Sequence, residues 1–101
     1  MSESAIRMSE TGELLLSGVL DYRTGPDLRE QGQALIKSSN ATVLVVDCSA
    51  VEKSSSVGLS LLLCFMRDAQ AAGKALSVRA IPEDMREIAQ VSELTELLAL
   101  P

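Results

Sequence analysis

The run Thr42-Val43-Leu44-Val45-Val46 is almost continuously apolar and rich in β-branched side chains, the composition of a central strand covered on both faces. Polarity returns at Asp47, and Cys48 to Lys53 reads as a loop. Ser54-Ser55-Ser56 then precede an apolar segment, Val57 to Ala72, that stops at Gly73. Serines before such a run and a glycine after it are the start and stop of a helix. A buried strand that passes into an apolar helix restricts the chain to folds that layer helices on a sheet. On a helical wheel Leu59, Leu62, Leu63, Met66 and Ala69 form the core face, with Leu61, Cys64 and Phe65 off its centre.

The flanking segments are consistent with that layering. Residues 5–8 and 13–20 read as a hairpin across Thr11-Gly12, with Leu14, Leu16, Gly18 and Leu20 on one face by the period of two. Thr24-Gly25-Pro26 supplies a capping side chain and a first-turn proline for a helix that carries Leu28, Gly32, Leu35 and Ile36 inward and ends near Ser38-Ser39-Asn40. Gly32 lies on that stripe, where a missing side chain allows close approach to the sheet at a propensity cost of about 1 kcal/mol. A further strand runs from Ala75 to Ile81, Pro82 opens a short helix with Met85, Ile88 and Ala89 inward, and Ser92 to Leu100 reads as one more helix. The order β-β-α-β-α-β-α-α predicts an α/β fold, α+β in some schemes: one domain over residues 1–101, a four-stranded mixed sheet with helices mainly on one face.

Several function classes are disfavoured. A net charge of -5 with no Lys/Arg cluster does not suit a phosphate backbone, and one Tyr and one Phe without Trp cannot build a base-stacking platform. The longest apolar run, Leu61 to Met66, is far shorter than the roughly 18 residues of a membrane span, so no direct membrane insertion is expected. The acidic start, Met1-Ser2-Glu3-Ser4, does not resemble an export signal, which predicts a cytoplasmic location. Cys48 and Cys64 sit in apolar surroundings without CxxC spacing and read as buried, reduced thiols.

With no histidine, Ser-His-Asp and Cys-His nucleophile arrangements and mixed His/Cys zinc sites are excluded. No GxGxxG or GxxxxGK[ST] cradle occurs among the scattered glycines. The carboxylate pairs Glu83/Asp84 and Asp47/Glu52 stand at element ends, where acids commonly cap or are solvated. No catalytic residue, cofactor or metal site is therefore expected, and the chain reads as a module that docks onto another protein. The consecutive serines at a helix N-terminus either cap the helix or hold a phosphate on Ser56 or a partner's acidic group. Leu61 and Phe65 are either ordinary surface residues or the rim of a docking patch. A lipid- or small-ligand-binding module is the remaining class, with apolar residues but no obvious polar set to orient a ligand.

The stretch Val43-Leu44-Val45-Val46-Asp47-Cys48-Ser49-Ala50-Val51, followed by Ser55-Ser56-Val57-Gly58-Leu59, resembles the strand and loop of STAS domains, and the resemblance covers nearly the whole chain. That family includes bacterial anti-sigma-factor antagonists and small subunits of phospholipid transporters. The resemblance puts Ser56 on the Ser/Thr that antagonists use as a phosphorylation switch and that the transporter subunits place against their ATPase, with Gly58 and Leu59 at the end of the motif. The chain departs from the usual pattern at Ser55, where Asp is common, and at Val57, where a small residue is common. The Leu-rich run Gly58 to Leu63 resembles the transporter subunits more. The implied function is a non-catalytic accessory subunit that binds and regulates the ATPase of an ATPase-permease ABC complex moving phospholipid between bacterial membranes and maintaining outer-membrane lipid asymmetry. Its implied place is the inner face of the inner membrane, held there by the partner. The implied contact set is Ser55, Ser56, Val57, Gly58, Leu59, Leu61 and Phe65. The alternative is an antagonist that binds a serine-kinase anti-sigma factor and is switched at Ser56.

Overall fold

In a computed structural model of the chain, which describes residues 4–91, the N-terminal alternation forms the hairpin it predicts. Strand β1 (Ala5–Met8) pairs antiparallel with β2 (Glu13–Leu20), with Ile6 opposite Leu16 and Met8 opposite Leu14. Ser9 ties the turn: its N–H donates to the Glu13 carbonyl at 2.7 Å, and its hydroxyl accepts the Glu13 N–H at 3.0 Å. Leu14, Leu16, Gly18 and Leu20 are buried on one face of β2.

Strand β3 runs from Val43 to Ser54, through the stretch expected to be a loop from Cys48 to Lys53. The misreading has a physical origin. Leu44, Val46 and Cys48 are buried in alternation, but the next buried positions are Val51 and Ser54, three residues apart each time. Two register shifts against β2, between Leu15 and Ser17 and between Gly18 and Val19, are bulges that destroy the period of two. Gly18 sits at one of them with φ 90, a conformation that costs glycine nothing. Coverage on both faces is also corrected: Val43 is 65% exposed and Val45 half-buried, because the helices lie mainly on the other side.

The sheet order is β1-β2-β3-β4, with β4 (Ala75–Arg79) parallel to β3 and β3 parallel to β2. Parallel neighbours need crossovers, and α1 (Gly25–Ser38) and α2 (Ser56–Ala71) supply them. Gly32 of α1 is buried as expected, but what approaches it is the Phe65 ring of α2 rather than the sheet. Thr24 occupies the N-cap position of α1, but its side chain makes no capping bond. Its hydroxyl instead accepts the Asp21 N–H and donates to the Val19 carbonyl, both at 3.0 Å. The third helix, α3 (Glu83–Val91), buries Met85 and Ala89. The core joins Leu14, Leu16, Leu20, Leu44 and Val46 of the sheet to Leu28, Ile36, Leu59, Leu62, Phe65 and Met85 of the helices. The helix expected over Ser92 to Leu100 lies outside the described residues.

Candidate functional site at the start of the second helix

The end of the sheet delivers the three serines to α2, and each takes a different role. Leu20 is opposite Ser54 in the β2–β3 ladder, and the Leu20 carbonyl accepts the Ser55 N–H at 3.0 Å. Ser54 is buried: its hydroxyl donates to the Ser55 carbonyl at 2.8 Å and its N–H donates to Asp84 Oδ2 at 3.2 Å. Ser55 is the N-cap, its hydroxyl accepting the Val57 N–H at 3.2 Å. Ser56, the first residue of α2, is exposed. Capping thus falls to Ser55 and leaves the neighbouring Ser56 exposed. The unusual Ser55 keeps the capping function that an aspartate serves equally well.

The remaining expected contact residues separate by burial. Val57 is half-buried and directed at α1, since a Cβ on Gly25 would lie 2.9 Å from its Cγ1. Gly58 and Leu59 are buried beneath the helix. Leu61 and Phe65 do not form an exposed rim: they are 4% and 0% exposed. The reason is that α2 packs on the sheet and on α1 at once, so its buried set, Gly58, Leu59, Leu61, Leu62, Phe65 and Ala69, is turned from the stripe expected on the wheel. Leu63 and Met66 are the ones left half-buried.

An open depression of about 440 Å³ lies between the starts of α1 and α2, lined by Tyr22, Gly25, Pro26, Arg29, Val57, Ser60, Leu61 and Cys64; Ser56 does not line it but immediately precedes Val57 in the chain. Sequence reasoning missed Tyr22, Pro26, Arg29 and Ser60 as a group, because they meet only when the two helices pack. The one available signal was Tyr22, an aromatic side chain in a polar turn, which is 77% exposed. Arg29 reaches Asp68 of α2 at 3.8 Å. Cys64 is half-buried and Cys48 fully buried, and both are free.

Two of the four candidate carboxylates, Asp47 and Asp84, serve the framework. Asp47 accepts the Ser49 N–H at 2.8 Å and an Arg79 N–H at 3.0 Å, and these bonds, the Ser49 one foremost, hold its carboxyl below the ordinary 3.8. Arg79 also pairs with Glu13, so one guanidinium links β2, β3 and β4. Asp84 is committed to the Ser54 backbone, and Glu52 is exposed. Among the described residues no group of three or more His, Cys, Asp or Glu is placed to hold a metal ion, and no helix is long and apolar enough to cross a membrane.

Comparison with known proteins agrees with this architecture. A family model described as "Mlab, STAS domain" matches residues 6–99. A chain of the Acinetobacter MlaFEDB complex in an ATP-bound conformation, its MlaB subunit, is similar at 27% identity and a TM-score of 0.82, over 96% of this chain and 99% of that one. An anti-sigma factor antagonist from Mycobacterium paratuberculosis shares 27% identity at a TM-score of 0.74, over 97% and 83% of the two chains. The unphosphorylated anti-sigma factor antagonist SpoIIAA shares the fold, with a TM-score of 0.72 at 19% identity over 93% and 84%. With the matched sheet, helices and motif together, the chain belongs to the STAS domain family.

Proposed function

We propose that this chain is a non-catalytic accessory subunit of an Mla-type ABC transporter, one STAS domain that docks on the ATPase from the cytoplasmic side and regulates it during phospholipid transport. The observation that carries the docking reading is Ser56: it is the one exposed serine that begins α2 without serving as its cap, and it immediately precedes Val57, which lines an apolar depression. The transporter reading is favoured by the match to the MlaB subunit, which spans 99% of that chain at the higher TM-score. Ser55 and Ser56 meet the partner directly, with Val57 and Leu61 beneath them. Gly58, Leu59 and Phe65 act from the core by holding the start of α2 in place.

The test is affinity purification of the tagged protein from its native cells, with Ser56→Glu in parallel. Recovery of an ABC ATPase with its permease, lost in the variant, is expected. An acid in the first turn is favourable toward the helix dipole, so the variant should keep its fold and its melting temperature. Unchanged recovery would reduce Ser56 to a surface residue.

A second reading is an anti-sigma-factor antagonist, supported by the 27% identity to the mycobacterial protein. A phosphate on Ser56, roughly -2 in charge, would then weaken the hold on a serine-kinase anti-sigma factor. Recovery of such a kinase, with a phosphorylated fraction of this chain in intact-mass analysis, is what that reading requires.

A further inference from the structure

The depression between the starts of α1 and α2 has a chemistry that specifies its occupant, given the transporter reading above. We propose that it receives one bulky apolar side chain of the ATPase, while a carboxylate on the same ATPase segment meets Arg29. The floor is made of Val57, Leu61, Pro26 and Cys64, and no acidic side chain lines it. Leu61 is buried and Val57 is wedged against Gly25, so the hollow is preformed and an apolar anchor enters without reordering it. Rigid pockets of this kind are where interface energy concentrates.

The polar groups at the mouth are all able to donate: the Ser60 and Tyr22 hydroxyls and the Arg29 guanidinium. Arg29 is 47% exposed, and its approach to Asp68, at 3.8 Å, is too long for a hydrogen bond. It therefore keeps donors for an incoming carboxylate. Next to Tyr22, the exposed Arg23 guanidinium lies 5.8 Å from the ring centroid but is already paired with Asp21 at 3.2 Å, which leaves Arg29 as the charge that meets the carboxylate. In a chain of net charge -5, an acid-free apolar hollow bordered by arginine is where an acidic segment can approach without repulsion. The same arrangement explains why a negative group at Ser56, adjoining Val57 of the floor, would expel the partner.

The experiment titrates the purified chain with the purified ATPase subunit of the same organism, at low and high salt. It uses Arg29→Glu, Arg29→Gln and Ser60→Trp, all at exposed positions, with folding followed by circular dichroism. Loss of affinity by roughly tenfold or more is expected for Arg29→Glu and for the plug Ser60→Trp. Arg29→Gln should flatten the salt dependence, because a rim charge acts through screened attraction. Hydrogen exchange should protect an ATPase segment that carries an apolar residue within about four positions of an acid, and reversing that acid to Arg should restore binding to Arg29→Glu. If the ATPase binds the native chain and all three variants alike, the depression is not the anchor site, although the transporter reading stands. If the native chain does not bind the ATPase, that reading fails and this proposal falls with it. Binding of dodecanoate to the native chain but not to Ser60→Trp, with the ATPase held equally by the native chain and all three variants, would make the hollow a lipid site and overturn the proposal.

Discussion

Gly58 shows how one missing side chain holds the candidate site together. A Cβ there would collide with the Ser54 hydroxyl and lie 3.1 Å from Met85 Cε and 3.2 Å from Leu20 Cδ1. Methionine can yield, but Ser54 is held by its bonds to the Ser55 carbonyl and the Asp84 carboxylate. Alanine is intrinsically better in a helix by about 1 kcal/mol, whereas overpacking a tight junction costs about 1–3 kcal/mol. Gly58→Ala should therefore lower the urea midpoint and disturb Ser56. A raised midpoint would show that the junction yields freely. The sequence marks Gly58 as part of a motif, but the reason for glycine lies in Ser54, Leu20 and Met85, which converge from other elements. The roles of the three serines are likewise invisible in their order. Which one caps, which turns inward and which remains exposed depends on the angle at which β3 enters α2.

Strand β3 and helix α2 show where periodicity is a good guide and where it fails. Through Leu44 and Val46 the strand was legible; Cys48 keeps the alternation but follows the polar Asp47 and read as loop. Beyond Cys48 the two bulges against β2 remove the alternation, although the pairing continues to Ser54. The one-sided covering also separates neighbouring valines. Val46 is fully buried, so Val46→Asp would place a carboxylate without a partner in the core. Val45 is half-buried on the other face, where an acid retains water. Val46→Asp should yield a chain without a cooperative melt, whereas Val45→Asp should fold with a reduced melting temperature. Equal behaviour of the two would contradict the layering. In α2, a wheel can detect an apolar stripe but not a second packing partner, and contact with α1 is what draws Phe65 under Gly32.

Stability of the folded chain should carry a pH signature from its centre. Burial pushes the Cys48 thiol from the ordinary 9.0 up to about 12, with the adjacent Asp47 charge adding to the effect. Above about pH 9 the unfolded chain releases this proton while the folded chain retains it, so stability falls as pH rises toward 12. Cys48→Ala leaves a cavity and should be less stable at neutral pH, but its urea midpoint should decline less between pH 9 and 11. Parallel declines in the two proteins would remove Cys48 as the cause. The chain's own order of residues was sufficient for the type and order of the seven described elements, the mixed α/β layering and the segment that carries Ser56, because hydrophobic periodicity and helix stop signals are local. Only tertiary structure decided that Leu61 and Phe65 are buried, that β3 continues past Asp47, and that Tyr22, Arg29 and Ser60 share one hollow. Those facts depend on the packing of α1 against α2 and on strand register, which are contacts between residues far apart in the chain, with no local pattern to announce them.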